Sequence, residues 1–199
     1  YDLETITRAA QAAGAYAGFD LAHAAGNTEL KLHDWNVDFA CWCSYKYLNS
    51  GPGGVAGAYI HERHAADTSL PRFAGWWGYT KATRFKMEKG FEAIPTAEGW
   101  QLSNAPVLSM AAHKASLDIF EEAGIEQLHA KRKLLSGYLH YILEDINNRQ
   151  PERIIEVITP STEKDRGCQV SMLMLKNGRE IFEELTRQGV IADWREPNV

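Results

Sequence analysis

Cys43-Ser44-Tyr45-Lys46-Tyr47-Leu48-Asn49, running into Gly51-Pro52-Gly53-Gly54, is the stretch on which the reading of this chain turns. It follows Asp38-Phe39-Ala40-Cys41-Trp42, a run apolar enough after its aspartate to form a buried strand, so Lys46 stands just past a strand end. Upstream, Gly18-Phe19-Asp20-Leu21-Ala22-His23-Ala24 sets a carboxylate and an imidazole at the end of a second strand-like run. An amine held against an apolar wall is partly desolvated, which favours its neutral, nucleophilic form. Condensation with an aldehyde to a Schiff base is the chemistry such an amine suits.

Pyridoxal phosphate is an aldehyde cofactor whose ring nitrogen needs a carboxylate partner, because the protonated ring is the electron sink for substrate carbanions. Asp20 is the candidate partner, and His23 could reach the same ring or its phosphate if the chain turns out of its strand near Gly26-Asn27. The glycines after Lys46 permit close backbone approach beside a phosphate. Each residue alone has a plainer reading. A lysine in a Tyr-Lys-Tyr string is commonly a surface residue lying past aromatics, an aspartate at a strand end is usually a turn or cap residue, and a histidine nearby is ordinarily a hydrogen-bonded one. The combination points to the cofactor.

The chain as a whole resembles the kynureninase family of fold-type I pyridoxal-phosphate enzymes. The matching stretches are 18–24, Leu32-His33-Asp34-Trp35, 39–49, Gly75-Trp76-Trp77-Gly78, Thr83-Arg84-Phe85-Lys86-Met87, Leu102-Ser103-Asn104-Ala105-Pro106 and Arg166-Gly167-Cys168-Gln169, in family order. The resemblance implies that Lys46 carries the cofactor covalently, Asp20 pairs with its ring nitrogen and His23 contacts it. It implies further that Tyr45, Trp76 and Asn104 bind its phosphate or line the site, Trp76 and Asn104 reaching in from the neighbouring subunit of a homodimer. Lys46, Tyr45 and Asp20 would be the catalytic residues. The implied reaction is hydrolysis of L-kynurenine or 3-hydroxykynurenine to L-alanine and anthranilate or 3-hydroxyanthranilate, in tryptophan catabolism and NAD biosynthesis. Cysteine desulfurases look similar around the lysine but commonly carry His directly before it, where this chain has Tyr45, and Gln in place of His23. A desulfurase or aminotransferase relative is the alternative, and a catalytically silent dimerisation segment a third reading.

The implied fold, α/β of the pyridoxal-phosphate transferase type, needs more than 199 residues. The chain opens on Tyr1 rather than Met and stops after Val199, where the family continues into an arginine-bearing strand, so it is expected to be a fragment, inactive alone. The expected organisation is the C-terminal part of a cofactor-binding large domain with a mainly parallel sheet (1–123), a linking helix (124–150) and an incomplete α+β small domain (151–199).

Composition narrows the partners. With 21 basic residues scattered among 26 acidic ones and a net charge of -5, the chain has no basic stripe for nucleic acid. No apolar run reaches the roughly 18 residues of a membrane span, so no membrane partner is expected. Cys41, Cys43 and Cys168 are odd in number and lack zinc spacing, which fits buried thiols in a cytoplasmic protein. His61-Glu62-Arg63-His64 resembles a metal pair but lacks a third ligand, and no metal is assigned.

Along the chain, Asp2 caps a helix through Ala13 that Gly14 ends. Strands are expected at 15–21, 39–44 and 54–60, with a short helical or turn segment at 30–35. The span 68–101, with three tryptophans, has no clear period, and an irregular segment of that length is commonly functional. Residues 105–148 read as helix broken at Gly124. Strands at 154–159 and 169–175, a helix at 178–188 and a last strand at 190–193 complete the expectation. Ser103-Asn104 could serve as a helix N-cap, and Trp76-Trp77 as core or interface filler.

Overall fold

Asp2 begins the first helix as its residue type dictates: its carboxylate accepts the Thr5 amide at 2.9 Å, and α1 runs Leu3–Ala12. The computed structural model describes residues 1–199, which divide into two compact units, 1–123 and 124–199.

In the first unit, β1 (Gly18–Asp20), β2 (Phe39–Trp42) and β3 (Gly57–Ile60) form a sheet in that order. β1 and β2 run parallel, with Gly18 opposite Phe39 and Asp20 opposite Cys41. β2 and β3 run antiparallel, with Phe39 opposite Ile60 and Trp42 opposite Gly57. The sheet is therefore mixed within this chain rather than mainly parallel, because the loop from Cys43 to Ala56 doubles straight back and only the β1–β2 connection crosses over. Val37, Ala40, Leu21 and Ala17 form the buried apolar centre. The strands are shorter than the sequence pattern suggests, and β2 keeps Phe39 and Cys41 exposed on one face.

β3 hands over to a one-turn helix, α2 (Glu62–Ala65), capped by the His61 ring. The long irregular span holds two 3-10 turns, Arg84–Lys86 and Ala97–Trp100, and an antiparallel bridge between Tyr79 and Ala93. Buried Arg84 organises it, donating to the carbonyls of Trp77 at 2.8 Å and Tyr79 at 3.0 Å while its guanidinium lies 4.7 Å from the Trp77 ring. The helix α3 spans Val107–Ala123 and has no buried residue; Val107, Leu108 and Ile119 are largely exposed.

Gly124, at φ 76°, separates α3 from α4 (Ile125–Asn148), which belongs to the second unit. There β4 (Ile155–Val157) and β5 (Met172–Met174) pair antiparallel. Asn147, buried near the end of α4, extends the pairing: its Oδ1 accepts the amides of Ile154 and Ile155 at 3.1 and 3.0 Å, and its Nδ2 donates to the Ile155 carbonyl at 2.8 Å. α5 covers Gly178–Arg187. The expected strand at 190–193 does not form. Ile191 is 98% exposed, and it is the Asn198 carbonyl that accepts the Met174 amide at 2.9 Å, so that place beside β5 is already taken.

Candidate active site

Parallel pairing of β1 and β2 puts the two loops that leave their C-terminal ends side by side, the position where open α/β sheets bind ligands. From β1 the chain turns immediately. Asp20 Oδ1 accepts the Ala22 amide at 2.9 Å, an Asx turn that leaves Oδ2 without a hydrogen bond. His23 follows on the exposed side of the turn, its ring making no hydrogen bond, while its carbonyl accepts Asn27 Nδ2 at 2.9 Å.

From β2 the chain passes through Cys43 and Ser44 to Tyr45 and Lys46. The two loops touch: Cys43 Sγ lies 3.8 Å from the Ala22 carbonyl, and Gly26 packs against the backbone of Tyr47. Lys46 is half-buried and Tyr45 half-exposed, the ammonium 5.9 Å from the Tyr45 ring centroid. Lys46 Nζ makes neither a hydrogen bond nor an ion pair, in a chain where most other lysine and arginine heads are paired. The lysine is thus only half-buried, not sunk against an apolar wall as its sequence context predicts, and Cys41 of the preceding strand and the adjacent Tyr45 are themselves exposed.

Chemically, this set fits an aldehyde cofactor with a basic ring nitrogen. An uncommitted amine can attack the aldehyde carbon, and an uncommitted carboxylate oxygen can hold a protonated ring nitrogen. Asp20 ends β1 and Lys46 lies on the loop after the adjoining β2, so the sheet register brings them to the same edge. Trp76 and Asn104 are exposed, and no hydrogen bond or ring contact joins them to Asp20 or Lys46; Trp76 meets Phe85 edge-on at 5.4 Å. Asn104 is not a helix cap either, since the Pro106 carbonyl accepts the Met110 amide and so opens α3.

Two features escape the sequence reading. One is Asp38, which is 3% exposed and accepts the Ala17 amide at 2.7 Å, Gln11 Nε2 at 3.1 Å, His64 Nε2 at 2.6 Å and the Arg63 guanidinium. Burial pushes its carboxyl up, but the bonds from Ala17, Arg63, His64 and Gln11 together outweigh that and hold it well below the usual carboxylate range. His64 is thereby committed to Asp38, and His61 to the cap of α2, where Nδ1 accepts the Arg63 amide at 3.3 Å. The other is a pair of buried serines, Ser44 and Ser50, behind the lysine. The signals were polar residues inside apolar or glycine-rich runs. A cleft of about 570 Å³ in the second unit between α4 and β4 is lined by His140, Tyr141, Arg153 and Arg166 and by none of the candidate residues.

The family model for the kynureninase C-terminal domain matches residues 128–199. The kynureninase of Flavobacterium johnsoniae is 55% identical over 199 residues, all of this chain and 47% of its own. The chain thus spans about half the length of the curated relatives it matches. Among solved structures, a cysteine desulfurase from Thermococcus onnurineus is similar with a TM-score of 0.66 at 18% identity, covering 96% of this chain and 44% of its own. The lyase C-DES, solved with glycine covalently linked to its PLP cofactor, is similar at a TM-score of 0.63 and 20% identity, over 88% of this chain and 43% of its own. Those structures share the fold, that of fold-type I enzymes, and about half of all positions along the full 199 residues are identical to those of the kynureninases, so the chain is similar to that family along its whole length.

Proposed function

We propose that this chain provides the lysine-bearing part of a pyridoxal-phosphate-dependent kynureninase, which hydrolyses the Cβ–Cγ bond of L-kynurenine or 3-hydroxykynurenine to L-alanine and anthranilate or 3-hydroxyanthranilate. The observation that carries the reading is an uncommitted Asp20 Oδ2 at the end of β1 together with an uncommitted Lys46 amine on the loop that leaves the neighbouring β2. Bound pyridoxal phosphate supplies the electron sink that makes carbanion chemistry at the substrate accessible. Lys46 attaches it and, once released by substrate, moves a proton at Cα. Asp20 keeps the ring nitrogen protonated, and His23 contacts the ring. Tyr45 holds the phosphate and stands beside Lys46 in the proton relay.

In this reading 1–123 is the C-terminal part of the large domain, 124–150 the linking helix and 151–199 part of the small domain. Trp76 and Asn104 serve the site of a second subunit, which fits their exposure and their lack of any hydrogen bond or ring contact with Lys46. The exposed apolar side chains of α3 are consistent with such an assembly. A cytoplasmic, reducing setting accords with Cys41 and Cys43 as free thiols. No helix is long and apolar enough to cross a membrane.

The test is borohydride reduction of the full-length protein with pyridoxal phosphate, peptide mapping of the adduct, and assay with kynurenine against cysteine. A pyridoxyl label on Lys46 with turnover of kynurenine is expected. A label elsewhere, or turnover of cysteine in place of kynurenine, overturns the assignment.

A further inference from the structure

We infer that Ser44, Ser50 and Ser116 are positioning residues that brace the Lys46 loop, an inference that rests on reading Lys46 as the cofactor lysine. Ser44 is fully buried and Ser50 is 5% exposed, and their hydroxyl oxygens lie 2.7 Å apart. Ser44 Oγ donates to the Val55 carbonyl. A hydroxyl has one proton, so with Ser44's spent on Val55 the bond between the serines takes its proton from Ser50. The result is a directed chain, Ser50 to Ser44 to Val55, which closes the neck of the loop. The backbone repeats the closure, with the Ser50 amide donating to the Ser44 carbonyl at 3.2 Å and the Asn49 amide to the Lys46 carbonyl at 3.1 Å.

Gly54 makes room for this chain. A Cβ there would lie 1.8 Å from Ser50 Oγ and 2.9 Å from Ser44 Oγ, so the hydroxyls occupy the space a side chain would need. A third tie comes from α3, where Ser116 Oγ donates to the Leu48 carbonyl at 2.7 Å. The residues between these ties are Tyr45, Lys46 and Tyr47, and Lys46 is itself bonded to nothing through its amine. Its aim is therefore set by the loop's backbone, which three hydroxyls that take no part in chemistry brace alongside the loop's own backbone bonds. Displacement of a reacting group by about 1 Å can cost on the order of a hundredfold in rate. Loosening the brace should then slow attack by Lys46 without unfolding the sheet.

The experiment uses the full-length protein as wild type, Ser44→Ala, Ser50→Ala, the double variant and Ser116→Ala. Amide hydrogen exchange over 45–55 is read without cofactor, and the rate of borohydride-trapped labelling of Lys46 and the pH midpoint of the bound cofactor's absorbance are read with pyridoxal phosphate. Either neck variant should raise loop exchange and slow labelling by about tenfold or more, and shift the absorbance midpoint. The double variant should be no worse than either single one, because the two hydroxyls act in series. Ser116→Ala should move all three readouts the same way to a smaller extent, and decides the matter if a neck variant does not fold. Exchange and labelling within twofold of wild type, or additive effects in the double variant, overturn the brace. If wild type takes no label on Lys46 while the variants still loosen the loop, the cofactor reading fails and the brace stands.

Discussion

Asp38 and His64 meet at 2.6 Å, carboxylate oxygen against Nε2, at the end of β2 remote from Lys46. The same carboxylate gathers the Ala17 amide ahead of β1, Gln11 of α1 and Arg63 of α2, so one buried anion ties two helices and two strands. Asp38→Asn keeps the shape but leaves Arg63 and His64 facing a neutral amide. Breaking one partner out of a buried ionic cluster costs about 3 kcal/mol, and a loss of that size in urea unfolding of the full-length protein is expected. A loss under about 1 kcal/mol would mean that solvent replaces the carboxylate at little cost.

The same cluster sets the acid limb of stability. A carboxyl whose folded pKa is depressed adds stability that is complete above its unfolded pKa of about 3.9 and is lost as pH falls through the folded value. Asp38 is such a group, so wild type should lose stability steeply below about pH 4 and Asp38→Asn less steeply. His61 acts at higher pH. Burial first, then Arg63 and His33, lower its pKa, with Glu62 opposing and His64 adding to the fall. The unfolded chain therefore binds its proton more readily, and stability should erode as pH drops below about 6.5. His61→Asn, which retains a capping side chain, should flatten the slope between about pH 6.5 and 5 in unfolding midpoints measured across pH; an unchanged slope would show that His61 does not set it.

What the sequence reveals here is what is local. The Asp2 cap, the break at Gly124 and the turn after Asp20 follow from residue types within a few positions of each other. Asp20 and Lys46 could be placed at strand ends because the apolar runs before them are contiguous. Strand direction was not legible: period-two patterning is the same for parallel and antiparallel neighbours, and β3 turned out antiparallel. Asp38 stands in the sequence only as the residue before an apolar run, and its cluster is not legible there because its partners Ala17, Arg63 and His64 are distant in sequence. The exposure of Cys41 and Tyr45 was hidden for a related reason, since an apolar run tells nothing of which face finds a cover.

Gly26 joins the loop after Asp20 to the loop that carries Lys46. It adopts φ +78°, and a Cβ there would lie 3.0 Å from the Tyr47 carbonyl oxygen and 2.9 Å from Leu48 Cδ2. Gly26→Ala therefore meets both an unfavourable backbone region and a backbone contact that cannot yield cheaply. A loss of about 1–3 kcal/mol is expected, with amide exchange rising in 20–28 and 45–49 together. Exchange confined to 20–28 would argue that the two loops are held independently.

Arg84 anchors the irregular segment through one nitrogen shared by two carbonyls, those of Trp77 and Tyr79, and through its position over the Trp77 ring. It is 8% exposed, so its removal leaves both carbonyls without a donor in a place water reaches poorly. Arg84→Ala should cost about 2–4 kcal/mol, less than two full charge-assisted bonds and a cation–π contact because one nitrogen serves both carbonyls. Arg84→Lys keeps the charge but loses the flat face that lies on the tryptophan, and should recover only part of that loss. Because Trp76 precedes the first anchored carbonyl directly, both variants should also quench or shift tryptophan fluorescence. Full stability in Arg84→Ala would show that the bridge between Tyr79 and Ala93 holds the segment by itself.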